Sequence, residues 1–136
     1  MRMRTLALDL LDGRSERRVE GVVSLVAADD SGQFGILPGH EPMVTALASG
    51  LIRCSRADGG LLHVACTGGV LSCRNDVVQI VSARFLVGER AEALTAKLDQ
   101  LLAAERAEQV AGRQSRTQVE RALLRRLREW SEAGHA

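Results

Sequence analysis

Aromatic residues are scarce in this chain. Phe34, Phe85 and Trp130 are present and tyrosine is absent. A surface that stacks successive bases is therefore hard to assemble, which argues against single-strand nucleic-acid binding. The interior has to be built from Val, Leu, Ile and Ala. Proline is rarer still, with Pro38 and Pro42 only, both inside one nine-residue stretch. No apolar run approaches the roughly 20 residues that a membrane span needs. The opening MRMRTLALDLLDG has a short apolar part interrupted by Asp9 and Asp12, and no small-residue cleavage site follows. The expectation is a cytosolic protein without a signal peptide. A formal net charge of +1 gives no global attraction to nucleic acid or to a membrane surface.

Cysteine is also sparse. Three residues, an odd number in a chain read as lacking a signal, fit reduced thiols. Cys54 is in phase with Ile52, Cys66 with Leu62 and Val64, and Cys73 with Leu71. On strands of period two all three share a face with apolar neighbours, so buried thiols are expected. A metal site from His63, Cys66 and Cys73 fails on three counts. It lacks a fourth ligand and a paired C-x-x-C spacing, and His63 falls on the opposite strand face from Cys66.

What is present describes a folded protein. With 46% apolar and 26% charged residues over 136 positions, the chain is one domain, or one domain with an appendage. Up to about Arg84 it reads as short strands separated by Gly, Asn and Asp turns: TLALDLL, RRVEGVVSLVAADD, GLIRCSR, LLHVAC, VLSCR and VVQIVSARF. Eight to ten strands in this pattern predict an all-β sandwich or flattened barrel over residues 1–87.

After Gly88 the period changes. Leu94, Leu98, Leu101 and Leu102 form one helical stripe, and Val119, Leu123, Leu127 and Trp130 form a second. Gly112 reads as a stop between them, with Ser115 or Thr117 as a cap for the second run. Residues 88–136 are therefore expected to form an antiparallel two-helix hairpin. Its second helix carries Arg121, Arg125, Arg126 and Arg128 against Glu120 and Glu129. This is either a solvated basic face or a surface for an acidic partner.

No reaction chemistry is legible. His40 and Glu41 are adjacent, so on extended backbone they point to opposite faces, and no nucleophile elbow accompanies them. The Thr67-Gly68-Gly69-Val70 segment lacks the lysine and the following helix of a phosphate loop. Asp29-Asp30 reads as turn chemistry. The stretch FGILPGHEP instead predicts a stiff, exposed corner, because Pro38 fixes φ and Gly39 permits a conformation that other residues resist. Phe34, Ile36 and Leu37 supply apolar area beside it, which suits docking better than turnover.

At SGQFGILPGHEPMVTALASGLIR and at Thr67-Gly68-Gly69-Val70-Leu71 the chain resembles the epsilon subunits of F-type ATP synthases. Domain order and length agree over nearly the whole chain. The segments ADGGLLHVACTGGVLSCRNDVVQIVSARFLVGE and LRRLREW look closer to the epsilon-like subunits of the N-ATPases, a second, proposed sodium-transporting group. The resemblance implies a non-catalytic central-stalk subunit on the cytoplasmic face of the bacterial inner membrane, peripheral and not membrane-inserted. Its sandwich would clasp the gamma subunit and rest on the c-subunit ring. Gln33, Phe34, Gly35, Ile36, Leu37, Pro38, Gly39 and His40 would form the loop facing those partners. In an extended hairpin state, Arg121, Arg125, Arg126 and Arg128 would meet an acidic stretch of a catalytic beta subunit and block hydrolysis. Some relatives bind ATP through an I/L-D-x-x-R-A motif. FLVGERAEALTAKLDQ lacks that spacing, so no cofactor is expected.

The competing reading is a free-standing binding module whose arginine helix takes RNA or an acidic protein. A small hydrolase using His40 or Cys66 is a third. Tight association with a gamma-like coiled coil separates the first reading from both.

Overall fold

The computed structural model describes residues 4–132, with the side chains of 114–117 and 130–132 left aside. Nine strands precede one helix: β1 (Leu6–Leu11), β2 (Glu16–Asp29), β3 (Gly32–Ile36), β4 (Met43–Leu47), β5 (Gly50–Arg56), β6 (Leu61–Cys66), β7 (Gly69–Arg74), β8 (Val77–Ser82), β9 (Phe85–Gly88) and α1 (Ala91–Glu132). In hydrogen-bonding order the strands run β1-β8-β7-β4-β2-β5-β6-β9, with β3 and β1 also on β2. β1–β8 is parallel and the other pairings are antiparallel. The chain divides into two compact units, Met1–Leu101 and Leu102–Ala136.

Strict alternation builds the first wall of the core. Leu6, Leu8 and Leu10 are buried on one face of β1, as are Ile52 and Cys54 on β5, Leu71 and Cys73 on β7, and Val78 and Ile80 on β8. A fully buried leucine or isoleucine contributes about 1.5–3 kcal/mol, so the aliphatic residues carry the core as the composition requires. Cys54, Cys66 and Cys73 are all buried free thiols in this cluster. Of the aromatics, Phe34 and Phe85 only rest against its edge.

β2 joins both layers and breaks the alternation. Its buried residues are Val19, Val22, Leu25 and Ala27. The register slips between Val19 and Val22 against β1, and between Val22 and Ser24 against β5. Gly21, with φ +71°, sits in the first slip. Each slip spends one extra residue, turning the strand so that apolar residues three apart face the same core.

Two glycines and a turn pair fix β7 in place. Asn75 and Asp76 both have positive φ (51° and 61°) between strands that pair Arg74 with Val77, a type I′ hairpin. At the other end Gly69 has φ +150°, and a Cβ there would lie 2.9 Å from Ser82 Cα and collide with Val81 O. The Ser82 hydroxyl sits between Gly68 O (2.5 Å) and Arg84 O (2.9 Å). The Thr67-Gly68-Gly69 motif is thus a close approach of backbones, with no ligand role required.

Both expected helical runs are helical, but they form a single element, and the stop expected at Gly112 does not appear in it. Helical φ is open to glycine at a cost of about 1 kcal/mol relative to alanine. Nothing lies within 4 Å of the place a Cβ would take. Residues through Leu101 belong to the first compact unit, beyond the last strand, which ends at Gly88. The reason is burial: Leu94 and Leu98 are 4% and 5% exposed, and Leu94 lies 3.4 Å from the Cβ position of Gly88. In the second unit Val110, Val119, Leu123, Leu124 and Leu127 are 55–62% exposed. Trp130 and the proposed caps Ser115 and Thr117 are among the side chains left aside.

Candidate functional site

The expected corner is a four-residue turn. His40 N–H donates to Leu37 O at 3.1 Å, with Pro38 and Gly39 between them and Gly39 at φ +86°. Proline second and a positive-φ glycine third define a type II turn. His40 Nδ1 lies 2.7 Å from Glu41 O. A carbonyl only accepts, so Nδ1 donates in this contact. The histidine therefore engages the main chain of Glu41, and the two residues make no acid–base pair.

A residue read from sequence only as a turn former holds this corner. The Asp76 carboxylate accepts from Gly39 N–H at 2.7 Å and from Arg4 Nε at 2.6 Å. These two donors, the Gly39 amide first, hold its pKa below the ordinary carboxylate value. Asp76 O also accepts from Ala7 N–H at 2.9 Å.

β3 leads into the corner with alternating faces. Ile36 is buried and Phe34 half-buried, whereas Gln33, Gly35 and Leu37 are exposed. Gln33 stands beside the Asp29–Gly32 turn, paired with Ala28. At about 3.3 Å per residue it is roughly 13 Å along the strand from Leu37. The sequence-predicted loop therefore comprises two exposed ends of one strand. At the Gln33 end, Asp29 is held by Ser31 and Thr45 hydroxyls (2.5 and 2.7 Å), which depress its pKa and stiffen the turn.

Sequence reasoning missed an exposed apolar feature of the sheet. Ala46 pairs with Val70, Val70 with Val81, and Val81 with Leu11, a straight row across β4, β7, β8 and β1. Val70 and Val81 are each 49% exposed, and neighbouring Val44 is 73% exposed. Their neighbours Leu71, Ile80 and Leu47 face the core. The signal was available, since both phases of these strands are apolar where a solvated outer face needs only one. Val44 lies two residues past Pro42, and Ala46 of the row two residues further along β4.

Arg121, Arg125, Arg126 and Arg128 are exposed on α1 in the second unit, and none makes an ion pair among the described residues. Arg121, Arg125 and Arg128 share a face at helical spacing and Arg126 departs from it. No group of three or more metal-binding side chains occurs among the described residues. Cys66 is fully buried and its thiol is pushed up by burial, so it is no nucleophile at neutral pH.

The described residues form a β-sandwich with a pinned corner and an exposed apolar row, a surface of the kind that partners cover. Residues 5–88 match the family described as ATP synthase, Delta/Epsilon chain, beta-sandwich domain. The chain is 37% identical over 115 residues to ATP synthase epsilon chain 2 of Cereibacter sphaeroides, covering 79% of this chain and 77% of that one. It is 39% identical over 67 residues to the ATP synthase epsilon chain of a Synechococcus strain, covering 49% and 48%. Its match therefore spans about half the length of that cyanobacterial chain. Among solved structures, a chain in the Euglena gracilis mitochondrial ATP synthase OSCP/F1/c-ring assembly superposes with a TM-score of 0.58. That likeness holds at 22% identity over 74% of this chain and 66% of the other, and it concerns the fold alone. The chain belongs to the ATP synthase delta/epsilon family, whose epsilon chains are accessory and not catalytic subunits.

Proposed function

We propose that the chain is a central-stalk subunit of an ion-translocating ATPase, joining the catalytic head to the membrane ring. The observation that carries this is the apolar row Ala46–Val70–Val81–Leu11 on a solvent face. A face of that kind gains stability when a partner covers it. The gamma subunit is its partner in this reading. The Leu37–His40 corner and Gln33 meet gamma and the c-subunit ring, and the stiff turns at both ends of β3 limit the ordering cost of docking. Likeness of residues 57–89 and of LRRLREW to N-ATPase epsilon-like subunits supports membership of that second group. The protein then lies on the cytoplasmic face of the bacterial inner membrane. No described helix is long and apolar enough to cross a membrane.

The exposed arginines Arg121, Arg125, Arg126 and Arg128 support a regulatory contact of the second unit with acidic residues of a catalytic beta subunit. Nucleotide binding forms no part of this proposal.

Co-elution with a gamma-like subunit from the same genome tests the proposal. A stoichiometric complex surviving 1 M salt, on the order of a threefold shorter Debye length than at 0.1 M, is expected for apolar docking. Absence of any complex, together with salt-steep RNA binding by the isolated chain, would overturn it in favour of a free-standing module. For regulation, deleting residues 102–136 keeps Leu94 and Leu98 in place and should raise ATPase activity of the assembled complex. Unchanged activity would remove the regulatory role.

A further inference from the structure

We infer that Asp76 is the positioning residue of the docking surface: one carboxylate pins the corner to the turn of the β7–β8 hairpin that carries the apolar row. The inference rests on the stalk-subunit reading for its partner but on this chain's own geometry for its argument.

Three segments distant in sequence meet at Asp76. It occupies the second position of the β7–β8 turn at φ +61°. Its two carboxylate oxygens take separate donors. Oδ1 accepts from the Gly39 amide at 2.7 Å, and Oδ2 accepts from Arg4 Nε at 2.6 Å. Its main-chain oxygen accepts from Ala7 at the head of β1. The corner has little else to hold it. Between the end of β3 at Ile36 and the start of β4 at Met43, the turn's own bonds are local: His40 N–H to Leu37 O, and His40 Nδ1 to Glu41 O. Among the described residues, the Gly39–Asp76 hydrogen bond is the one that ties this segment to another part of the sandwich.

The bonded atoms also explain the residue types. Gly39 is confined by its φ of +86°, and Arg4 Nη1 lies 3.2 Å from where a Cβ would be. Asp76 stands at a positive φ that aspartate and asparagine tolerate better than other side chains. Asparagine would keep the turn and one acceptor. It would turn an amide N–H₂ toward either Arg4 or Gly39, both of which donate. An anionic acceptor with two free oxygens is therefore required, and aspartate alone supplies it at this position.

β7 and β8 meet at this turn, and Val70 and Val81 pair at the hairpin's other end, about 13 Å along the strands. The hydrogen bond consequently fixes the corner, with Leu37 61% exposed, at the turn end of this hairpin, so that the corner and the apolar row mark two ends of one partner-facing stretch. When the corner leaves that position, affinity for a partner spanning both falls in proportion to the fraction of molecules still in it.

The test compares four chains: wild type, Asp76→Ala, Asp76→Asn and the core control Ile80→Val. Each is measured for thermal midpoint, for amide exchange at Gly39 in the chain alone, and for affinity to the gamma-like subunit encoded with it. Expected for Asp76→Ala are fast Gly39 exchange and a loss of affinity of about tenfold. Asp76→Asn should lie between it and wild type. Ile80→Val should lose thermal stability and keep both Gly39 protection and affinity. Slow Gly39 exchange in Asp76→Ala would overturn the inference, as would an affinity loss no larger than that of Ile80→Val. If wild type itself fails to hold the gamma-like subunit, the stalk reading fails, while Gly39 exchange still decides the role of Asp76.

Discussion

Val70 and Val81 stand directly opposite one another across β7 and β8, and each keeps 49% of its surface exposed. Paired β-branched residues stabilise a sheet from its outer face, but half their area still faces water. Val81→Glu should therefore leave the isolated chain within about 1 kcal/mol of wild type. Its affinity for the gamma-like subunit should fall more than about tenfold, as for a charge set into an apolar interface. Urea unfolding and a binding titration check the pair of outcomes. Full affinity in Val81→Glu would move the interface elsewhere.

Gly69 is predicted to be the least tolerant glycine of the sandwich. Alanine there combines a φ of +150° with a Cβ 2.9 Å from Ser82 Cα, and the obstacles are backbone atoms that cannot swing aside. Gly69→Ala should cost roughly 2–4 kcal/mol, read from the urea midpoint. A loss below about 0.5 kcal/mol would mean that β7 and β8 separate more easily than their register implies.

Along α1 the same substitution should give opposite results. Leu94→Ala removes a buried side chain and should cost about 2–4 kcal/mol. Leu123→Ala removes one that is 58% exposed and should change the stability of the isolated chain by no more than about 0.5 kcal/mol. Equal losses in thermal melts would show that the second stripe is covered in solution.

Stability should form a plateau bounded by different groups on its two sides. In Asp76 and Asp29 the native pKa lies below the ordinary 3.8, through the Gly39 amide in one and the Ser31 hydroxyl in the other. Their contribution is complete above that value and is lost as pH falls through the lower native pKa. Burial pushes the Cys54 thiol from 9.0 up to about 11. That contribution is complete below pH 9.0 and is lost as pH rises toward the native value. Urea midpoints across the pH range should decline at both ends, and Cys54→Ala should flatten the alkaline decline. An alkaline decline unchanged in Cys54→Ala would assign it to other groups.

Much of this was legible in the chain itself. Period-two runs gave the strands of the sandwich, and Pro38-Gly39 gave the corner. The phase of Cys54, Cys66 and Cys73 with Ile52, Val64 and Leu71 gave buried thiols. Gly112 misled because a helix tolerates a solvated glycine for about 1 kcal/mol, and only neighbouring helical residues decide whether it does. The outward placement of Val44, Val70 and Val81 was not legible, since a strand's outward apolar residues resemble inward ones until the other layer is located.

The sequence by itself determined the local conformations: which segments extend, where backbone must turn, and where only glycine can stand. Those follow from sterics and side-chain periodicity within a few residues. Tertiary structure decided what met across longer distances. It set Asp76 against Gly39, 37 residues away, and Arg4, 72 residues away. It aligned Ala46, Val70, Val81 and Leu11 into one row. Such meetings depend on strand order and register, which are set by the closure of the whole core and by no short stretch of the chain.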